Sequence, residues 1–150
     1  MGHSYCNSLH HCIFSTKERK PYINPHMQER LWPFMGGIAI ENNMKALAIG
    51  GIEDHVHLLL SLPSTMTIAK AMQVIKGGSS KWLHDAFPEK RDFAWQEGYG
   101  AFSIGVSQVD DTIAYIQRQH EHHRERSFQE EFLNILQRHG IAYDPKDIWG

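Results

Sequence analysis

Residues 44–62 read MKALAIGGIEDHVHLLLSL, and this stretch decides the fold. Two strand-like runs, residues 44–52 and 55–62, are joined by only Glu53 and Asp54, and Pro63 ends the second. So short a link between β-rich runs predicts a hairpin. A strand and a helix lie on either side of it. Upstream, residues 4–15 alternate as a strand, with Tyr5, Leu9 and Ile13 on one face and Cys12 and Phe14 on the other. Asn24-Pro25 then opens a helix, asparagine capping it and proline taking its first position. Leu31, Phe34, Met35 and Ile38 continue at helical spacing; Pro33 inside that stripe is expected to kink the helix or delay its start. Downstream, Ile68, Ala71, Met72, Ile75, Trp82, Leu83 and Ala86 keep one register straight through Gly77-Gly78, which predicts a single long helix. Residues 98–104 read as a last strand.

The order β-α-β-β-α-β predicts an α+β chain on the ferredoxin-like split βαβ plan, an antiparallel sheet with helices on its face. Two helices are appended: one over about residues 108–124 that carries Tyr115, and a short final one. The latter opens with a capping box at Ser127 and Glu130, presents Phe128, Phe132, Leu133 and Leu136, and ends at Gly140. No repeat, linker or low-complexity tract interrupts residues 1–150, read as a single domain.

Composition adds bounds. The 150 residues are 41% apolar, enough for one core. A net charge of −2 is unusual for a nucleic-acid binder, but the charge is uneven. Lys70, Lys76, Lys81, Lys90 and Arg91 outweigh Asp85 and Glu89 in residues 64–91, whereas acids outnumber arginines in 107–131. The eleven histidines add positive charge near or below pH 6.5. No run approaches the roughly 18 apolar residues of a membrane helix, and the first residues lack a secretory pattern, so a cytoplasmic protein without a membrane partner is expected. Cys6 and Cys12 would share one strand face about 20 Å apart, too far for a disulfide, and are expected to be buried free thiols.

In a strand, His55 and His57 point to one side and Val56, Leu58 and Leu60 to the other. Two imidazoles on one face, about 6–7 Å apart along the strand, can converge on a metal ion. Asp54, just before them, can orient an imidazole from behind. In the helix near 108–124, Val106, Val109, Ile113 and Ile116 form the apolar stripe. Tyr115 lies roughly 140° from its centre and Gln119 roughly 100°. Four residues apart, they are neighbours on one flank. His120 falls on the stripe and reads as packing, with His122, His123 and Arg124 on the open side. Lys76, Ser79, Ser80 and Lys81 can donate to a DNA backbone, or serve as an ordinary polar helix face.

Together, these residues resemble the single-tyrosine HUH transposases of bacterial insertion sequences and their REP-associated tyrosine transposase relatives. The likeness rests on Asp54-His55-Val56-His57 followed by Tyr115-Ile116-Gln117-Arg118-Gln119. Residues 76–83 (KGGSSKWL) are similar to that family's second helix, and residues 95–103 (WQEGYGAFS) to its fourth strand. The resemblance implies that His55, His57 and Gln119 bind Mg²⁺ or Mn²⁺, though zinc or nickel can occupy such a site. It implies that Tyr115 attacks the scissile phosphate to give a 5′-phosphotyrosine link, and that the substrate is single-stranded DNA near hairpins. It also implies a homodimer, leaving open whether Tyr115 acts in cis or in trans. A noncatalytic hairpin-binding regulator on the same fold is the alternative, and retention of all four presumed active-site residues speaks against it. A zinc hydrolase would need a carboxylate ligand or base that the sequence does not make evident.

Overall fold

In the computed structural model, which describes residues 2–122 and 126–149, the elements follow the expected order. They are β1 (Leu9–Ser15), α1 (Pro25–Glu41), β2 (Lys45–Ile52), β3 (His55–Ser61), α2 (Ile68–Ala86) and β4 (Gly100–Ser103), then α3 (Val109–Gln117), α4 (Gln119–His122) and α5 (Phe128–Arg138). Glu53 and Asp54 form the hairpin turn and are held from outside. The Ile23 amide donates to Glu53 O at 2.9 Å and the Thr16 amide to Asp54 O at 2.8 Å. The sheet order is β2-β3-β1-β4 with every neighbour antiparallel, which is the split βαβ arrangement.

Local rules explain the helices that behave as the sequence predicts. The Asn24 side chain accepts from the Met27 amide at 2.9 Å, and α1 runs from Pro25 past Pro33 to Glu41 as one segment. The long helix α2 passes through Gly77-Gly78 unbroken. A Cβ on residue 78 would lie 3.0 Å from Ile38 Cδ1, so glycine there lets the two helices close on each other.

The sheet separates two different environments. On one side Cys12 and Phe14 of β1 and Val56, Leu58 and Leu60 of β3 pack against Leu31, Met35 and Ile38 of α1 and Met72, Ile75 and Leu83 of α2. Full burial of such a side chain contributes roughly 1.5–3 kcal/mol, so this layer is the main apolar core. The opposite side carries His11, Ile13, His55 and His57. There Ile13 and Phe102 meet Phe128, Phe132, Ile135 and Leu136 of α5.

Four expectations are corrected. Strand β1 begins at Leu9 rather than residue 4, which leaves Cys6 exposed and only Cys12 buried; burial pushes the Cys12 thiol up to about 12. The tyrosine helix is not continuous. After a short 3₁₀ turn at Val106–Gln108, α3 ends at Gln117, and Arg118 (φ −105°, ψ 25°) breaks it before α4. That offset buries Gln119 and leaves His120 exposed, where an unbroken register would have packed it. His123 and Arg124 lie outside the described residues.

The end of α3 sits hard against the sheet at Gly50, which pairs with His57. A Cβ on residue 50 would stand 2.5 Å from the Ile116 carbonyl oxygen, a backbone atom that cannot swing aside. Gly50→Ala should therefore push α3 off β2 and lower stability by about 1–3 kcal/mol, the usual range for overpacking. Urea unfolding measures the loss, and an unchanged midpoint would contradict this packing.

Candidate metal centre and nucleophile

Strand alternation puts His55 and His57 on the same face of β3, as expected, and both are fully buried. Their ring centroids are 5.1 Å apart. Each Nδ1 is held from behind. Asp54 Oδ1 lies 2.8 Å from His55 Nδ1, and His11 Nε2 lies 2.8 Å from His57 Nδ1. Both Nε2 atoms turn toward one point. His55 Nε2 is 2.9 Å from Gln119 Oε1 and 3.4 Å from Glu131 Oε1, and His57 Nε2 is 2.9 Å from that same Glu131 oxygen.

The other oxygen of Glu131 faces the tyrosine. Tyr115 donates its hydroxyl hydrogen to Glu131 Oε2, and the Gln119 amide nitrogen donates to it at 3.2 Å. His122 stacks on the Tyr115 ring with centroids 4.4 Å apart. The structure thus brings Asp54, His55, His57, Tyr115 and Gln119 together within one chain.

Glu131 and His11 are the residues that sequence reading missed. The buried face of α5 is Phe128, Glu131, Phe132, Ile135 and Leu136, spaced as a helical stripe, with the Ser127 side chain capping Glu130 N. An acid on an apolar stripe was the available sign, because a buried carboxylate without partners is costly. Glu131 has partners in His55, His57, Tyr115 and Gln119. His11 lies on the β1 face with Ile13, buried beside His57.

The electrostatics follow from these neighbours. Both groups facing His55 Nε2 are oxygens, so that nitrogen carries a hydrogen, as does Nδ1 facing Asp54. Burial opposes the doubly protonated ring, but Asp54 and Glu131 outweigh it and hold His55 at about 9. Burial and the neighbouring His57 lower His11 to about 3. Tyr115 is raised well above an ordinary phenol by burial and then by the Glu131 charge.

The donor set fits a divalent cation. One ligand atom each from His55, His57 and Glu131 lie within 4.8 Å of one another, all buried, and the Gln119 amide oxygen adjoins them. Two imidazoles with carboxylate and amide oxygens suit Mn²⁺ and other divalent ions, and Glu131 is the carboxylate not evident in the sequence. Ligation requires a bare Nε2, so an ion must displace the hydrogens with which His55 and His57 face Glu131.

The residues expected to face DNA divide. Lys76 Nζ donates to the carbonyls of Gln96, Glu97 and Gly98 at 2.6, 3.0 and 2.9 Å. Ser79 is fully buried, donating to Ile75 O and accepting from Trp95 Nε1. Both hold the fold. Lys81 is exposed and Ser80 half-buried, on the helix that covers the other sheet face from the histidines. Beside Tyr115, a cavity of about 410 Å³ is lined by residues including His11, Gln108, Asp111, Thr112 and Arg138.

Comparison with known proteins gives a consistent picture. The family described as IS200-like transposases matches residues 4–119. The transposase of insertion sequence element IS200 from Salmonella typhimurium is 26% identical over 123 residues, 77% of this chain and 80% of that protein. The ISDra2 transposase TnpA of Deinococcus radiodurans is 25% identical over 126 residues, 80% of this chain and 90% of its own. Two solved structures share the fold. A Deinococcus radiodurans R1 chain assigned as a transposase has a TM-score of 0.65 at 24% identity, covering 79% of this chain and 96% of that one. A REP-associated tyrosine transposase bound to a REP hairpin has a TM-score of 0.61 at 13% identity, covering 82% and 73%. Glu131 and helix α5 lie beyond the segment that the family matches.

A measurable pH dependence follows from His55. Its pKa rises from 6.5 in the unfolded chain to about 9 when folded. Its contribution to stability is therefore complete below pH 6.5 and is lost as pH rises through about 9. The urea midpoint of EDTA-treated protein should fall over that window, and Asp54→Asn should flatten the fall. A midpoint that rises from pH 6.5 to 9 in both proteins would contradict the assignment.

Proposed function

Because the chain belongs to the IS200-like transposase family, we propose that it cuts and rejoins single-stranded DNA near hairpins through a covalent bond to Tyr115. One observation carries this reading: a single buried carboxylate, Glu131, touches the histidine pair with one oxygen and the Tyr115 hydroxyl with the other. A nucleophile and a cation site are thereby held side by side, as phosphoryl transfer requires.

His55, His57, Gln119 and Glu131 would hold the ion. Bound there, Mg²⁺ or Mn²⁺ would draw charge from the phosphoryl oxygens and stabilise the leaving 3′ oxygen. Asp54 keeps the His55 ring turned so that Nε2 faces the site. The Glu131 oxygen that accepts from Tyr115 is the nearest acceptor for the phenolic proton. The phenolate oxygen then forms a bond to phosphorus while the P–O3′ bond breaks. The products are a 5′-phosphotyrosine and a 3′ oxygen that takes up a proton from water. Because the ester keeps the energy of the broken bond, another 3′-OH can attack it and reseal the strand without ATP. Stacking by His122 fixes the phenol ring during both steps.

Lys81 and Ser80 would contact the backbone of a flanking hairpin, with Lys76 and Ser79 holding the helix that presents them. The chain would pair as a homodimer. One chain brings the whole constellation together, which supports chemistry in cis.

Incubation with labelled hairpin-bearing single-stranded DNA and Mg²⁺ or Mn²⁺ should give a protein–DNA adduct on a denaturing gel. Tyr115→Phe, which keeps the ring, should fold normally and give none. An adduct with that variant removes Tyr115 as the nucleophile. Mixing Tyr115→Phe with His57→Ala protein should not restore cleavage; restoration would show action in trans.

A further inference from the structure

We propose that His11 is a positioning residue for His57, presenting its Nε2 as a metal ligand much as Asp54 presents that of His55. The inference rests on the reading that His55 and His57 bind a divalent ion. His11 extends the ligand system to β1, a strand on which the sequence marks no chemistry.

The geometry carries the argument. His11 Nε2 is 2.8 Å from His57 Nδ1, the two rings are 5.0 Å apart between centroids, and both are buried. An imidazole ligates through one nitrogen only when its hydrogen is on the other, and the hydrogen bond at that second nitrogen fixes both tautomer and ring orientation. For His57 to offer Nε2, its Nδ1–H must donate, and His11 Nε2 is the acceptor in place. The arrangement parallels Asp54 Oδ1 on His55 Nδ1 at 2.8 Å.

The backbone makes the contact specific. Strands β1 and β3 pair with Ile13 opposite His57 and His11 opposite Leu59, so His11 reaches His57 diagonally across the ladder. The Tyr115 ring meets the edges of both imidazoles, with centroids 6.1 Å from His11 and 5.8 Å from His57. His11 therefore backs the ligand and borders the nucleophile.

Mn²⁺ titration of the purified full chain at pH 7.5, by calorimetry or paramagnetic resonance, tests this without reference to cleavage. His11→Phe keeps a ring but supplies no acceptor, and should weaken Mn²⁺ binding ten- to hundredfold, the range for loss of such a partner. His11→Gln, whose amide oxygen falls near the same place, should recover most of it. Cys12→Ala, on the other face of the same strand, controls for general destabilisation and should bind as wild type does. Nitrogen-15 spectra with diamagnetic Zn²⁺ bound should show His57 carrying its hydrogen at Nδ1, slow to exchange in the wild-type protein and fast in His11→Phe. Equal Mn²⁺ affinity in His11→Phe and wild type would overturn the proposal, as would an equal loss in Cys12→Ala. A wild-type chain that binds no Mn²⁺ would overturn the metal reading and this inference with it.

Discussion

One buried carboxylate organises the histidine-bearing face of the sheet. Glu131 lies among apolar side chains of α5, where a charge without partners is strongly unfavourable, and His55, His57, Tyr115 and Gln119 all reach it. Those four residues come from β3, α3 and α4. The need to compensate one charge therefore draws a strand and three helices to a common point. Two of the groups that compensate it, His55 and His57, could with Glu131 itself hold a cation. Stability and chemistry meet at the same atoms.

Around this centre the supporting contacts are short and local. The hairpin turn that carries Asp54 is tied by the Thr16 and Ile23 amides, so the carboxylate behind His55 is fixed by backbone hydrogen bonds. The close approach of Ile116 to Gly50 lets α3 lie low enough for Tyr115 to reach Glu131. On the far side of the sheet, Lys76 gathers three carbonyls of residues 96–98, and the Gln96 side chain in turn accepts from the Ser15 amide at the end of β1. The long helix thereby helps fix the strand that bears His11.

Much of this was legible in the sequence where local rules govern. The two-residue hairpin, the Asn24 cap and the single register through Gly77-Gly78 each depend on neighbours a few positions away. So does the shared face of His55 and His57. The histidine pair and the Tyr115–Gln119 spacing carried a family likeness that the match to residues 4–119 bears out. What the sequence left hidden depends on packing between distant segments. Glu131 interrupts the apolar stripe of α5, but its partners emerge only when α5 is laid on the sheet. His11 is one of two adjacent histidines in a strand, and only the β1–β3 register selects it. The break at Arg118 accompanies the contact between Ile116 and Gly50, 66 positions apart in the chain, which no helical periodicity reports. Lys76 and Ser79 resemble a polar face, but their partners are inside the protein.

The alternation along β3 has one more consequence. The strand pairs on both edges, with hydrocarbon on one face and imidazoles on the other. A slip of one residue would turn Val56, Leu58 and Leu60 toward the carboxylate and drive His55 and His57 into the layer of leucine and methionine beneath α1 and α2. Such a misthreaded chain would lose its largest apolar contacts and strand an acid without counter-groups in the same move. The strand thus proofreads its own pairing, and the buried histidines act as a checksum for correct assembly of the sheet.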